Sequence, residues 1–171
     1  MWRILAIPRF KKAQNFWELK NEKTGLIWTY CNTFPTIRDN FQLDKLFWWR
    51  QETEVIMNQI KDPHVIGFSC FVWNWNNNVE LAKKIKEKYP NCIIVFGGWQ
   101  APMSDRSKGF FHKYPFVDVL AHGEGEIVFS NILTESLKEQ PDWSSVNGCS
   151  IPRKLLIDKT KRSNIIQFGL K

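Results

Sequence analysis

Val65-Ile66-Gly67-Phe68-Ser69-Cys70-Phe71, then a lysine-rich stretch, then Cys92-Ile93-Ile94-Val95-Phe96 followed by Gly97-Gly98, is the part of the chain whose reading decides the fold. Both apolar runs are nearly continuous and rich in β-branched or aromatic residues. A strand with one wet face alternates; a continuous run suits a strand buried on both faces, as in a parallel sheet. Between the two runs, residues 76–89 read as a helix. Asn77 with Glu80 three residues later has capping-box spacing, with Asn in place of Ser. Leu81, Ala82, Ile85 and Tyr89 form one apolar stripe, and Lys83, Lys84, Lys86, Glu87 and Lys88 face mostly outward. Pro90-Asn91 ends the helix. Strand, helix and strand of these lengths make a right-handed parallel crossover.

Outward from this unit the same grammar repeats. Residues 104–113 read as a short helix broken by Tyr114-Pro115, and Val117-Asp118-Val119-Leu120 opens a strand over 117–121. Gly123-Glu124-Gly125-Glu126 leads into a helix that runs towards Lys138, with Ile127, Val128, Ile132, Leu133 and Leu137 inward. Towards the start, Trp2 to Ile7 reads as a strand, 10–19 as a helix, 26–31 as an edge strand, and 43–60 as a helix with Leu46, Phe47, Met57 and Ile60 inward. Asn147-Gly148 is a turn signal ahead of two short apolar pieces, 149–157 and 164–168. The expected fold class is α/β: a Rossmann-like, flavodoxin-like open parallel sheet of about five strands with helices on both faces. It occupies residues 1–141, and 142–171 form a C-terminal hairpin or arm.

The 171 residues suit one domain. A chain that is 43% hydrophobic and 24% charged is not mostly disordered, collagenous or a coiled-coil rod. No apolar run approaches the roughly 18–20 residues of a membrane span, and the N-terminus lacks the pattern of a signal peptide, so the expected compartment is the cytoplasm. The net charge of +7 suits an anionic ligand, nucleic acid or an acidic partner, and equally suits plain solubility. Nucleic acid ranks last as a partner because Lys and Arg spread over several helices and both termini instead of lining one face. Nine Trp and thirteen Phe exceed what solubility needs, so some belong to the core and some to a stacking surface. Cys31, Cys70, Cys92 and Cys149 lack C-x-x-C spacing, so no disulfide and no protein-bound metal is assigned.

Ligands of open α/β sheets bind outside the carboxyl ends of the strands. The loops in question are 72–78, 98–107 and 122–126. Gly97-Gly98 gives either a close backbone approach or a plain tight turn. Gly123-Glu124-Gly125-Glu126 frees the first amides of a helix for a polar ligand edge. Its two carboxylates suit the helix dipole but argue against a simple phosphate cradle, and no G-x-G-x-x-G or Walker A pattern is present. Trp73, Trp75 and Trp99, with Trp48 and Trp49 as candidates to join them, either line a rim for a planar ligand or a protein partner, or cap the sheet. His64, His112 and His122 form no defensible Ser/His/Asp set, so no catalytic residue is expected. Asp118 reads as one member of a buried pair, its partner unnamed.

In this order, the strand ending in Ser69, Gly97-Gly98, the Asp118 strand and Gly123-Glu124-Gly125-Glu126 resemble the cobalamin-binding domain that precedes the catalytic barrel of cobalamin-dependent radical S-adenosylmethionine enzymes. The resemblance covers roughly residues 60–155, and Asn147-Gly148-Cys149-Ser150-Ile151-Pro152-Arg153 is similar to the segment that follows that domain. It implies cobalamin on the carboxyl end of the sheet with its nucleotide tail threaded into the domain. By position, the resemblance makes Ser69, Cys70, Trp73, Gly97, Gly98, Trp99, Gly123, Glu124, Gly125 and Glu126 the cofactor-binding residues. Asp62-Pro63-His64-Val65-Ile66-Gly67 matches by letters the D-x-H-x-x-G that carries an axial histidine in one cobalamin class, but only Phe68 separates its Gly67 from Ser69. The stretch after the first strand holds no histidine, so cobalamin is expected without a protein histidine on cobalt. The C-x-x-x-C-x-x-C of the radical part is absent, so no iron–sulfur cluster is expected here. Chemistry is then expected from a catalytic domain or a radical S-adenosylmethionine chain in trans. The competing expectation is a degenerate Rossmann-like protein-interaction module that binds no cofactor.

Overall fold

A computed structural model describes residues 2–7, 24–47, 51–103, 106–152 and 155. Its strands are β1 (Trp2–Ile7), β2 (Phe41–Leu46), β3 (Val65–Ser69), β4 (Ile93–Gly97), β5 (Val119–Ala121) and β6 (Cys149–Ser150). Its helices are α1 (Thr24–Cys31), α2 (Pro35–Asn40), α3 (Thr53–Met57), α4 (Trp75–Lys88), α5 (Ser107–Lys113) and α6 (Gly125–Ser136). They build one sheet in the order β2-β1-β3-β4-β5-β6. The first five strands run parallel and β6 lies antiparallel to β5. This is the flavodoxin-like order with one short strand added at the edge.

The continuous apolar runs have a direct structural cause. Along each central strand, neighbouring residues enter cores on opposite faces of the sheet. Ile66, Phe68, Ile94, Phe96 and Leu120 pack with Leu81 and Ile85 of α4 and Phe110 and Phe111 of α5. Val65, Ile93, Val95 and Val119 pack with Cys31 of α1, Ile37 of α2 and Val128, Ile132 and Leu133 of α6. Both faces are covered, so neither can be polar.

Asp118 directly precedes β5 and is buried. Its Oδ2 accepts from Lys86 Nζ at 2.7 Å and from the Ile94 amide at 2.8 Å. Lys86 Nζ also donates to the Cys92 carbonyl at 2.6 Å. The lysine counted among the outward residues of α4 thus snorkels back to the sheet and is the partner that the sequence left unnamed.

Several expectations are corrected. Residues 43–60 are not one helix: Phe41–Leu46 pair in parallel with β1, Trp2 facing Phe41, and only Thr53–Met57 are helical. Apolar residues at 41, 43 and 46 belong to an edge strand packed by one face, and Phe41 is buried. Residues 26–31 belong to α1, not to an edge strand. Ile27 and Cys31, one helical turn apart, pack towards α6, while Leu26 and Tyr30 stay exposed. Tertiary packing here overrides a composition that favours strand. Helix α4 starts at Trp75 behind Asn74, two residues ahead of the Asn77 cap. The helix after Gly97-Gly98 starts at Ser107. The helix expected over 10–19, Trp48, Trp49 and the piece 164–168 lie outside the described residues.

Candidate ligand-binding edge of the sheet

Register brings the sequence-predicted turns together. Ser69 faces Gly97 across β3 and β4, and Phe96 faces Leu120 across β4 and β5. One residue further, a Cβ built on Gly97 would touch that of Ala121 at 3.5 Å. Ser69, Gly97 and Ala121 therefore end three adjacent parallel strands at one edge, across about 10 Å at the usual strand spacing. The chain after β1 turns to β2 on one side, while β3 continues on the other, so the topological switch point lies beside Ser69.

The Gly97-Gly98 turn closes on the chain itself. The Cys70 amide donates to Gly97 O at 2.7 Å, and the Gln100 amide to Cys70 O at 3.0 Å. Gly98 has φ +93°, and a Cβ there would lie 2.9 Å from Cys70 O. Glycine at 98 thus has a reason inside the chain: the two turns pack backbone against backbone. Gly123 differs. Its φ is +75°, but no described heavy atom lies within 4 Å of a built Cβ, so the turn after β5 borders open space. Gly125 starts α6, where a Cβ would meet Ile27 Cδ1 of α1 at 2.9 Å. Glu124 is the N-cap residue of α6 without a side-chain cap, and Glu126 lies in its first turn, where carboxylates suit the helix dipole.

The tryptophans split. Trp75 is half-buried, edge-on to Phe96, Phe110 and Tyr114, and so belongs to the core. Trp73 is 48% exposed and stacks on Phe71 at 5.0 Å with an interplanar angle of 6°. Trp99 is 91% exposed directly after the Gly98 turn. Of the two readings, rim and cap, Trp75 thus follows the cap, while Trp73 and Trp99 stand at the carboxyl edge with large exposed surface.

Ser69 is half-buried, and its hydroxyl has no hydrogen-bond partner among the described residues. Burial pushes the thiol of Cys70 up to about 12. The thiols of Cys31 and Cys92 also rise to about 12, and that of Cys149 to about 11, each mainly by burial. At neutral pH all four are protonated, poor as metal ligands or nucleophiles. No group of three or more His, Cys, Asp or Glu residues able to hold a metal ion occurs among the described residues.

Of the three histidines, His64 directly precedes β3 at the amino edge, and His112 is exposed near the end of α5. His122 alone stands at the carboxyl edge. Its ring Nε2 lies 2.8 Å from Ser150 Oγ, and its amide donates to Gly148 O at 2.8 Å. Partial burial holds its imidazole below the ordinary histidine range. The unfolded chain then binds a proton more readily than the folded one, so stability is complete above the ordinary value of about 6.5 and falls as pH drops below it. Urea midpoints at pH 7.5 and 5.5 should fall further for the wild type than for His122→Gln; equal falls would contradict this account.

Sequence reasoning missed Asn74 and Asn78, both 2% exposed. The signal was there: Asn78 stands three residues before Leu81, in the apolar stripe of α4, where an unpartnered amide would be costly.

No family model matches the chain. Among curated proteins it is 38% identical over 129 residues, 75% of its length, to the cobalamin-dependent radical SAM methyltransferase TokK of Streptomyces tokunonensis. It is 35% identical over 127 residues, 74% of its length, to the 2-(S-pantetheinyl)-carbapenam-3-carboxylate methyltransferase of Streptantibioticus cattleyicolor. The matched stretches make up only 19% and 18% of those two proteins, so the chain spans about a fifth of the length of the curated relatives it matches.

Proposed function

We propose that this chain is a cobalamin-binding module of the cytoplasm that serves a methyltransferase-type radical reaction carried out by a catalytic domain or partner chain. The observation that carries the reading is the strand register: it ends β3, β4 and β5 side by side at the edge next to the switch point, in a chain 38% identical over 129 residues to a cobalamin-dependent enzyme. The residues fit such a group in several respects. The Ser69 hydroxyl is free among the described residues for a polar edge of the ligand. The Gly123 turn has open space beside it among the described residues. Trp73 and Trp99 offer exposed planes to a large macrocycle. The fit is tighter at Gly98, where the Cys70 carbonyl fills the place of a side chain. There the backbone turn itself, with Gly97 and Trp99, forms the wall.

In this reading Ser69, Cys70, Trp73, Gly97, Gly98, Trp99, Gly123, Glu124, Gly125 and Glu126 line one groove. Ser69 binds through its hydroxyl. Cys70 contributes backbone, since its buried thiol stays protonated. Glu124 and Glu126 hold the start of α6, so that the amides of the Gly123 turn face the groove. No histidine of the chain ligates cobalt: His64 lies at the other edge, and His122 is engaged with Ser150. Bound cobalamin supplies a cobalt atom that can carry a methyl group. The chain's own part is to hold the corrinoid in place and shield one side of it from water, and no iron–sulfur cluster belongs to it. No helix among the described residues is long and apolar enough to cross a membrane.

Calorimetric titration of the chain with hydroxocobalamin tests the reading. One-to-one binding with a shifted corrinoid absorbance band is expected; no heat and no retained colour after desalting would overturn it. A second reading, a module that docks a protein and holds no cofactor, draws on the 91% exposure of Trp99. It predicts no corrinoid binding.

A further inference from the structure

Two buried asparagines converge on the end of β3. Asn74 Nδ2 donates to Ser69 O at 2.8 Å, and Asn74 Oδ1 accepts from the Phe71 amide at 2.8 Å. Asn78 Nδ2 approaches the same carbonyl at 3.3 Å and Cys70 Sγ at 3.6 Å. The Asn78 amide donates to Asn74 O at 2.9 Å, so the first turn of α4 carries both side chains. Both asparagines are 2% exposed. The Ser69 carbonyl, at the last residue of its strand, is thus captured by two side-chain amides. Asn74 also closes the loop through Phe71, whose ring stacks on Trp73. Asn74, the residue ahead of α4, makes no side-chain cap on that helix, so its amide goes to the β3 end instead. An apolar residue at 78 would suit the core as well.

From this geometry we infer that Asn74 and Asn78 are positioning residues for the ligand groove. They hold the Ser69 and Cys70 backbone and the Phe71–Trp73 stack in the arrangement that presents the Ser69 hydroxyl and the Trp73 plane. The inference rests on the corrinoid reading above. Residues that orient the side chains holding a metal cost about 10- to 100-fold in affinity when removed, and a loss of the same order is expected of these two.

The test compares Asn74→Asp and Asn78→Leu with wild type and with Lys83→Ala, a substitution on the exposed face of α4. Asn74→Asp keeps the acceptor for Phe71 but loses the donor to Ser69; Asn78→Leu keeps the volume without the amide. Both are expected to keep the wild-type far-ultraviolet circular dichroism, weaken hydroxocobalamin binding at least about tenfold and change the near-ultraviolet signal of the Phe71–Trp73 stack. Lys83→Ala should bind as wild type does. Wild-type affinity in both asparagine variants overturns the positioning role while the corrinoid reading stands; failure of wild type itself to bind overturns both. Should the variants not fold, amide exchange on wild type decides. The Phe71 amide should be protected like those of β3, and exchange within the dead time overturns the inference.

Discussion

Replacing Gly98 with alanine is expected to destabilise the protein by about 4 kcal/mol, as a lower urea midpoint with unchanged slope. Two costs combine. At φ +93° a side chain is strained, and the new Cβ would sit 2.9 Å from the Cys70 carbonyl oxygen and 3.1 Å from its amide nitrogen. Backbone cannot swing aside as the end of a side chain can, so β3 and β4 must part where Cys70 and Gly97 are bonded. A domain of this size has about 5–15 kcal/mol to lose, so the variant should stay folded in water with a much reduced margin of stability. Gly123→Ala is the control. It carries a comparable positive φ without the contact and should cost about 1 kcal/mol. Similar losses for the two would show that backbone strain alone, and not the packing of the two turns, requires the glycine.

Asp118→Ala is expected to cost about 3 kcal/mol, read as the difference in unfolding free energy from urea titrations. The substitution leaves the Ile94 amide without its acceptor and takes the counter-charge from Lys86, whose side chain is only 18% exposed and keeps only the Cys92 carbonyl among the described residues. Adding Lys86→Met should restore part of the loss, because it removes the uncompensated charge and leaves an apolar stem in place. The coupling between the two sites is the readout. Additive effects would contradict a direct Lys86–Asp118 pair.

The parts of the fold legible in the sequence are those where one local pattern faces one environment. Strands β3 and β4 read correctly because burial on both faces leaves an uninterrupted apolar run, and α4 because one stripe faces one core. The reading failed where burial is one-sided or the partner distant. The edge strand β2 reads as part of a helix because its wet residues, Asp44 and Lys45, blur the alternation. Helix α1 carries strand-like residues and is helical because Ile27 and Cys31 find α6. The Lys86–Asp118 pair spans 32 residues and leaves no mark in local spacing. At the carboxyl edge, glycines and aromatics announce turns. Which tryptophan is core and which is surface depends on α5 packing over Trp75, and no local pattern records that. Asn78 was legible in principle, as a polar residue inside an apolar stripe.

The central claim is that the turns after β3, β4 and β5 form one corrinoid groove, and amide chemical shifts of the labelled chain titrated with hydroxocobalamin test it most directly. The account predicts saturable shifts concentrated in residues 69–73, 97–101 and 121–126, with His64 and the amino ends of the strands unmoved. Saturation with shifts at the amino edge, or on the exposed face of α1 instead, would contradict it.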